Sequence, residues 1–295
     1  MTSEMVRKLI YLPVISVLTW IIFQYWNQLF PIFLEHYTAI FIIIPISMYA
    51  IFLQSKNFTQ LLHTTNKPAL LDTTKMWALS GLTNYLGPFQ PGLAVRAAYF
   101  KSHGISVRET LQTTVKQLVI SIWIGLLVFS IFAPFSLNEN IQKTSIFTLT
   151  LFLVAPLLEN KIIATIKRVI DKNNEIHNDT SWLRLNKIGQ YKLFFSVYIS
   201  LCLSSWVIYE EFNANLYVYD YAILAVILVF SSLISITPNN LGIQELFFGY
   251  AAHAGGLSIP DGIAIALLYR VTHIFSCAFI ILLFRRNRYT NRKLF

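Results

Sequence analysis

Long apolar stretches alternate with short polar connections along most of the chain. A helix needs about 20 predominantly apolar residues to cross the hydrocarbon core of a bilayer, and seven stretches come near that length. The pattern predicts an all-α, polytopic transmembrane helical bundle of about seven to eight spans. The candidate spans are 9–30, 37–54, 117–135, 144–158, 191–209, 217–237 and 261–284.

The composition excludes a water-soluble protein. Of the 295 residues, 55% are hydrophobic and only 13% are charged, whereas soluble domains carry about 25% charged residues. The net charge of +9 does not indicate a nucleic-acid partner, because the basic residues are not gathered on a polar domain. The cysteines, Cys202 and Cys277, lie inside apolar runs, so neither a disulfide framework nor a metal site is predicted. No cofactor is expected.

The positions of the basic residues predict the orientation of the bundle. Cytoplasmic loops of membrane proteins carry an excess of Lys and Arg. All of the 23 Lys and Arg residues except Arg96, Lys143 and Arg270 fall in the two termini and in three connections, which must lie on the same side of the membrane. We therefore expect cytoplasmic N- and C-termini. The basic places are the two termini and the connections 55–76, 101–116 and 159–192.

This orientation leaves two segments that are not simple spans. Residues 77–100 lie between two cytoplasmic connections, so this segment must enter the membrane and return on the same side. Residues 238–257 must cross or half-cross the membrane. Both segments are interrupted by Pro and Gly, and interrupted backbone at membrane depth is tolerated where it is buried in protein or lines a watery cavity.

The sequence predicts a single integral membrane domain, 1–295, built of two pseudo-repeated halves. The first half is 1–158 and the second is 193–295. Between them, 159–192 is predicted to be a cytoplasmic loop whose apolar residues recur at helical spacing, typical of an interfacial amphipathic helix. A solvated linker is an equally good interpretation of the same residues.

The two interrupted segments carry a related pattern. Pro88 is followed by Gly92 and then Arg96, and Pro238 is followed by Gly242 and then Glu245. Interrupted helices at corresponding places in two halves indicate a transport site at the repeat interface. A helix that restarts after such a break presents free N–H groups and a positive dipole end, which suit a phosphate. The alternative is a pair of kinked packing helices.

Three ionisable residues lie in apolar surroundings: Arg96, Glu245 and Arg270. An Arg at the centre of a membrane helix costs about 2.5–3.5 kcal/mol, so each residue needs a partner. In one interpretation the two arginines hold a lipid phosphate and Glu245 orients one of them or neutralises a cationic headgroup. In the other, Glu245 and Arg270 form a structural ion pair. Asn239 and Asn240 are interpreted equally well as headgroup ligands or as a helix N-cap.

At these positions the chain resembles the lysylphosphatidylglycerol synthase/flippase transmembrane family. The resemblance rests on the stretch Asn84 to Arg96, on the Ser-Ile-Thr-Pro-x-x-x-Gly-x-x-Glu stretch that ends at Glu245, and on the pair Tyr269–Arg270. The chain departs from the family at Leu93, where Glu is usual, so no carboxylate role is inferred there. The resemblance implies handling of a lipid and a place in a bacterial or archaeal cytoplasmic membrane. The substrate-binding residues predicted from motif and resemblance together are Asn84, Gly92, Arg96, Asn239, Asn240, Gly242, Glu245 and Arg270.

The family's best-known members also carry a soluble aminoacyl-transferase domain. The 295 residues contain no such domain, so lysyl transfer is not expected. We predict a lipid translocase, or flippase-like protein, that binds the anionic headgroup of a phospholipid or lipid-linked saccharide. The expected partners are membrane lipids with phosphate-bearing headgroups, and no nucleic acid. An oligomer and a complex with cell-envelope biosynthesis proteins are further alternatives for the assembly.

Two alternative functions remain. One is a membrane-embedded glycosyl- or lipid-modifying transferase, for which Glu210, Glu211 and Asp220 would supply extracytoplasmic carboxylates; an acidic surface loop is the favoured interpretation of these three. The other is a non-catalytic subunit of an envelope polysaccharide or lipid biosynthesis complex. For His253 and His273, packing is the favoured interpretation and a proton relay is the alternative. Tryptophans near span ends, Trp77 among them, are interpreted as interfacial anchors.

Overall fold

The computed structural model describes residues 31, 34–65, 67–87, 90–136, 142–144, 148–150, 188–231, 238–240 and 242–284. Over these residues the protein is helical and has no strand, which confirms the predicted fold class. The predicted span 9–30 and most of 144–158 and 159–192 lie outside the described residues. The helices are α1 (Tyr37–Leu61), α2 (Leu70–Thr83), α3 (Pro91–Ser102), α4 (Val107–Phe132), α5 (Ile188–Glu211), α6 (Val218–Ser231), α7 (Ile243–Ala254) and α8 (Ile259–Leu283). Short 3-10 turns lie at Asn84–Leu86, Ala133–Phe135 and Pro238–Asn240.

Four helices of the described part are long and apolar enough to cross a membrane. The candidate spans are Tyr37–Leu61, Val107–Phe135, Tyr191–Glu211 and Ile259–Leu283, the second of which joins α4 to the 3-10 turn that follows it, and α6 is a shorter apolar helix. Large apolar side chains such as Phe41 and Leu246 are turned outward; Leu246 is 75% exposed. An apolar exterior of this kind fits a lipid environment. The protein is therefore a polytopic membrane protein.

The helix α4 begins earlier than the predicted boundary at residue 117. Ser106 caps it, because its Oγ accepts a hydrogen bond from Glu109 N over 3.0 Å. The Glu109 carboxylate in turn accepts from the backbone N–H groups of His63 and Thr64, each over 2.9 Å. Lys116, which the sequence placed in a connection, is instead buried within α4, with its Nζ 2.9 Å from His63 Nε2.

The interrupted segments form helices too short to span a bilayer. At 1.5 Å per residue, the 14 residues of α2 extend about 21 Å, and the 12 residues of α3 and of α7 extend about 18 Å each. The hydrocarbon core is about 30 Å thick. The helices α2 and α3 pack against each other, and the Asn84–Leu86 turn between them contacts the Pro238–Asn240 turn. The two breaks therefore meet inside the bundle, while re-entry of 77–100 stays a prediction.

The helices of the two halves pack against one another through a mixed interior. The helix α1 packs on α5 and α8, and α4 packs on α6. Buried Ser and Thr side chains lie among the apolar ones; Ser55 Oγ and Thr74 Oγ1, for example, are 2.7 Å apart between α1 and α2. Small and hydroxylated residues allow close helix approach within a membrane. Polar side chains therefore lie in the interior of the bundle, whereas large apolar side chains lie on its outer surface. Polar side chains also line the candidate site.

Candidate functional site

Left-handed backbone conformations shape the second break. Asn239, Asn240 and Gly242 have φ values of 42°, 59° and 87°. Glycine adopts this region without steric cost and Asn adopts it more readily than other residues. The Asn-Asn-x-Gly sequence is thus explained by the backbone path, which brings the carbonyl oxygens of both asparagines to the guanidinium of Arg270 in α8.

Arg270 is held in a buried position by four hydrogen bonds to described residues. It is 5% exposed. Its Nε donates to Glu245 Oε1 over 2.6 Å and its Nη2 to Glu245 Oε2 over 3.0 Å. Its Nη1 donates to Asn239 O over 2.7 Å and its Nη2 to Asn240 O over 3.0 Å. This arrangement is the ion pair that the sequence offered as one interpretation, and the guanidinium is largely saturated by the protein itself.

Glu245 also shapes the start of α7. Its Oε2 accepts a hydrogen bond from Gly242 N over 2.7 Å, and Gly242 occupies the N-cap position. An acidic group in the first turn is favourable because helix N-termini carry unpaired N–H groups and a positive dipole end. Neither Asn239 nor Asn240 is therefore the N-cap residue of α7; Gly242 occupies that position. The same carboxylate caps one helix and neutralises an arginine of the next.

The first break is closed by the predicted residues Asn84 and Gly92. Asn84 Oδ1 accepts from Gly92 N over 2.9 Å, and Ser80 Oγ donates to Gly92 O over 2.9 Å. A Cβ atom at Gly92 would overlap the Ser80 carbonyl oxygen. Gly92 is thus required for the close approach of α2 and α3. Gln90, just before α3, has φ 53° and completes the sharp change of direction.

Arg96 differs from Arg270 in having no counter-ion among the described residues. It is 8% exposed, and its Nε has no hydrogen-bond partner among the described residues. The guanidinium carbon lies 4.3 Å from the ring centroid of Trp77. Trp77 is itself fixed, because its Nε1 donates to Gln54 Oε1 over 2.9 Å. A cation stacked on an aromatic ring keeps the edge of its guanidinium available for a planar partner.

Both arginines line a cavity of about 320 Å³ between the two halves of the chain. This volume lies in the range of ligand sites. Side chains of the two interrupted segments meet there, together with polar groups of the spanning helices. Of the predicted site residues, Asn84, Arg96, Asn239, Asn240 and Arg270 line the cavity. Gly92, Gly242 and Glu245 support its walls through the hydrogen bonds described above.

Tyr85 connects the two breaks. It is buried in the Asn84–Leu86 turn, lines the cavity, and its phenol interacts with the Arg270 guanidinium. Tyr85 therefore lies between the first break and the residue that holds the second. Tyr85 was not singled out in the sequence, because nothing in its local pattern indicates a contact with a residue 185 positions later.

Other residues of the cavity were also missed. Trp77, grouped in the sequence with interfacial anchors, lies under Arg96 instead. Gln54 and Gln117 carry amide side chains within apolar helices, and both line the cavity. An amide isolated in an apolar stretch is the sequence signal that could have identified them. His273 lines the cavity and lies 3.9 Å from Cys277 Sγ, whereas His253 is exposed at the end of α7.

The carboxylates proposed for a transferase have other contacts. Glu210 accepts from Trp206 Nε1 over 3.1 Å, Glu211 from Thr38 Oγ1 over 2.7 Å, and Asp220 from Ser136 Oγ over 3.0 Å. None of the three lines the described cavity. The described residues also contain no cluster of three or more His, Cys, Asp or Glu side chains suited to a metal ion.

Comparison with known protein families gives a match. The model of the family described as lysylphosphatidylglycerol synthase TM region matches residues 8–282, nearly the whole chain and both interrupted segments. No curated protein and no solved structure matches the chain.

Proposed function

Because the chain belongs to the lysylphosphatidylglycerol synthase TM region family, we propose that it is a flippase-like lipid translocase that binds an anionic headgroup in its intramembrane cavity. The single observation that carries this proposal is the environment of the Arg96 side chain. This side chain is buried, lines the cavity, and has neither a carboxylate partner nor a hydrogen bond at Nε among the described residues.

An uncompensated buried charge is costly, and its retention calls for a reason. Charges inside membrane segments are rare and mark substrate pathways when they face a cavity. A lipid phosphate would supply the missing partner, since guanidinium and phosphate form charge-assisted hydrogen bonds in a bidentate geometry. Arg270 is the less suitable anchor because Glu245, Asn239 and Asn240 already occupy its donors.

The position of the cavity supports translocation over simple binding. Its walls come from both halves of the chain, and the two interrupted segments meet at it. Sites at the meeting point of broken helices near the middle of the membrane are typical of transporters that expose the site alternately to each side. In this protein the turns of the two breaks contact each other and Arg96 lines the cavity where they meet, so a relative movement of the halves would alter the surroundings of Arg96.

Reconstitution tests the proposal. The purified protein is placed in phosphatidylcholine vesicles with a trace of acyl-labelled fluorescent phosphatidylglycerol, and leaflet exchange is followed by quenching of the outer leaflet. We expect Arg96→Gln to lower the exchange rate about tenfold or more. Lys101→Gln, which removes an exposed cation from the same helix, is the matched control and should leave the rate unchanged. A folded Arg96→Gln protein with the wild-type rate would overturn the proposal.

A further inference from the structure

The described lining of the cavity carries amides and hydroxyls but no carboxylate. Amide side chains come from Gln54, Gln117 and Gln244, and hydroxyl groups from Ser47 and Ser80. Each of these groups can both donate and accept a hydrogen bond. They therefore match the hydroxyl groups of a ligand, which have the same two-sided character.

The carboxylate beside the cavity is already used. Glu245 follows the lining residue Gln244, but its Oε1 accepts from Arg270 and its Oε2 accepts from Arg270 and from Gly242 N. An ammonium group brings three donors and a charge, and its burial without a carboxylate is costly. Two guanidinium groups and one carboxylate also leave the site with a net positive charge, which disfavours a second cation.

The orientation of Arg96 indicates how a phosphate would be held. Trp77 occupies one face of the guanidinium at 4.3 Å, and the hydrogen bond from Trp77 Nε1 to Gln54 Oε1 fixes the indole. The stacked face makes no hydrogen bonds, and the buried Nε has no hydrogen-bond partner among the described residues. Two oxygens of one phosphate match the fork of donors along the Nε edge of a guanidinium.

These observations carry an inference that rests on the proposed function. We propose that the cavity selects lipids whose headgroup combines one phosphate with hydroxyl groups and contains no ammonium group. The phosphate binds along the edge of Arg96, and the hydroxyl groups of a polyol or sugar bind the neutral amide and hydroxyl lining. Headgroups that carry an amine, whether ethanolamine or an amino acid, are disfavoured because no described carboxylate is free to receive it.

A comparison of headgroups tests this selectivity. Labelled phosphatidylglycerol, phosphatidylinositol and phosphatidylethanolamine, identical in their acyl chains, are measured separately in phosphatidylcholine vesicles with the wild-type protein. We expect the first two to exchange about tenfold faster than phosphatidylethanolamine. Equal rates for all three lipids would overturn the selectivity while leaving translocation intact. If no lipid exchanges faster than in protein-free vesicles, the proposed function itself is wrong.

A carboxylate introduced into the lining should change the preference. Gln117→Glu places a carboxylate beside Gln54. In the wild type the backbone carbonyl oxygen of Gln54 accepts a hydrogen bond from Gln117 Nε2 over 3.4 Å. We expect the ratio of the phosphatidylethanolamine rate to the phosphatidylglycerol rate to rise at least about fivefold. Gln112→Glu, on the same helix but outside the cavity lining, is the control and should leave the ratio unchanged. An unchanged ratio in folded Gln117→Glu would contradict selection by charge.

Discussion

Arg270 Nε donates a hydrogen bond to Glu245 Oε1 over 2.6 Å, and this contact joins the first turn of α7 to α8. The pair lies beside the cavity, and Arg270 is buried. A buried ion pair contributes little net stability compared with an apolar replacement, but the loss of one partner leaves the other charge uncompensated. The pair is therefore best tested by removal of one charge and then of both.

Glu245→Gln should destabilise the protein. The variant leaves Arg270 buried without its counter-ion and weakens the cap at Gly242 N, so we expect a loss of about 3–5 kcal/mol. Thermal unfolding of the detergent-solubilised protein measures it as a lower Tm. Glu210→Gln, at an exposed carboxylate, is the control and should change Tm little. The double variant Glu245→Gln/Arg270→Gln should recover part of the loss; if it is as unstable as the sum of the single variants, the two side chains are not coupled.

Arg96→Gln should have the opposite effect on stability. It removes a buried charge that has no carboxylate partner among the described residues and no hydrogen bond at Nε, so in detergent without anionic lipid the Tm should equal or exceed that of the wild type. Added phosphatidylglycerol should raise the Tm of the wild type, because a ligand that binds the folded state stabilises it, and should not raise that of the variant. A marked fall in Tm in the variant would show that Arg96 has a structural role.

Gly92→Ala tests the close approach of α2 and α3. The new methyl group would overlap the Ser80 carbonyl oxygen and crowd Asn84 Oδ1, and overpacking of this kind costs about 1–3 kcal/mol. Gly87→Ala is the matched control, since a Cβ atom there meets nothing within 4 Å. We expect a lower Tm only for the first variant. Equal Tm values for the two variants would mean that the helices separate without cost.

The predicted orientation is tested by cysteine labelling in intact cells. With both native cysteines replaced by serine, a cysteine is introduced at Asn215 or at His103, each exposed in a connection between helices. The positive-inside rule places Asn215 outside and His103 in the cytoplasm. A membrane-impermeant thiol reagent should therefore label Asn215→Cys in intact cells and label His103→Cys only after lysis. The reverse labelling pattern would invert the topology.

The spanning helices could be predicted from the sequence because their signal is local. An apolar stretch of sufficient length has few alternatives in a membrane, and the predicted 191–209 and 261–284 correspond closely to α5 and α8. The start of α4 was predicted too late, because the polar residues after Ser106 read as a connection. Their helical state depends on the Ser106 cap and on the contacts of Glu109 with another connection.

The site was only partly predictable, for a related reason. Arg96, Glu245 and Arg270 were found because a charge in an apolar stretch needs a partner wherever it lies. Which partner it has depends on the backbone path through the two breaks. The left-handed conformations of Asn239 and Asn240 bring their carbonyl oxygens to Arg270, and no residue spacing indicates that a tryptophan lies under Arg96.

The contact between Glu245 and Arg270 also has an electrical consequence for the proposed translocation. Since these two charges cancel, Arg96 is the single unbalanced charge among the described residues that line the cavity. In the proposed mechanism a monoanionic lipid at Arg96 would bring the local sum to zero, and a membrane potential would then exert no net force on the loaded site. The empty site keeps one elementary charge, on which the potential acts with about 2.3 kcal/mol per 100 mV over the full membrane. The resting potential of the cell would thus influence the return of the empty protein, not the step that carries the lipid.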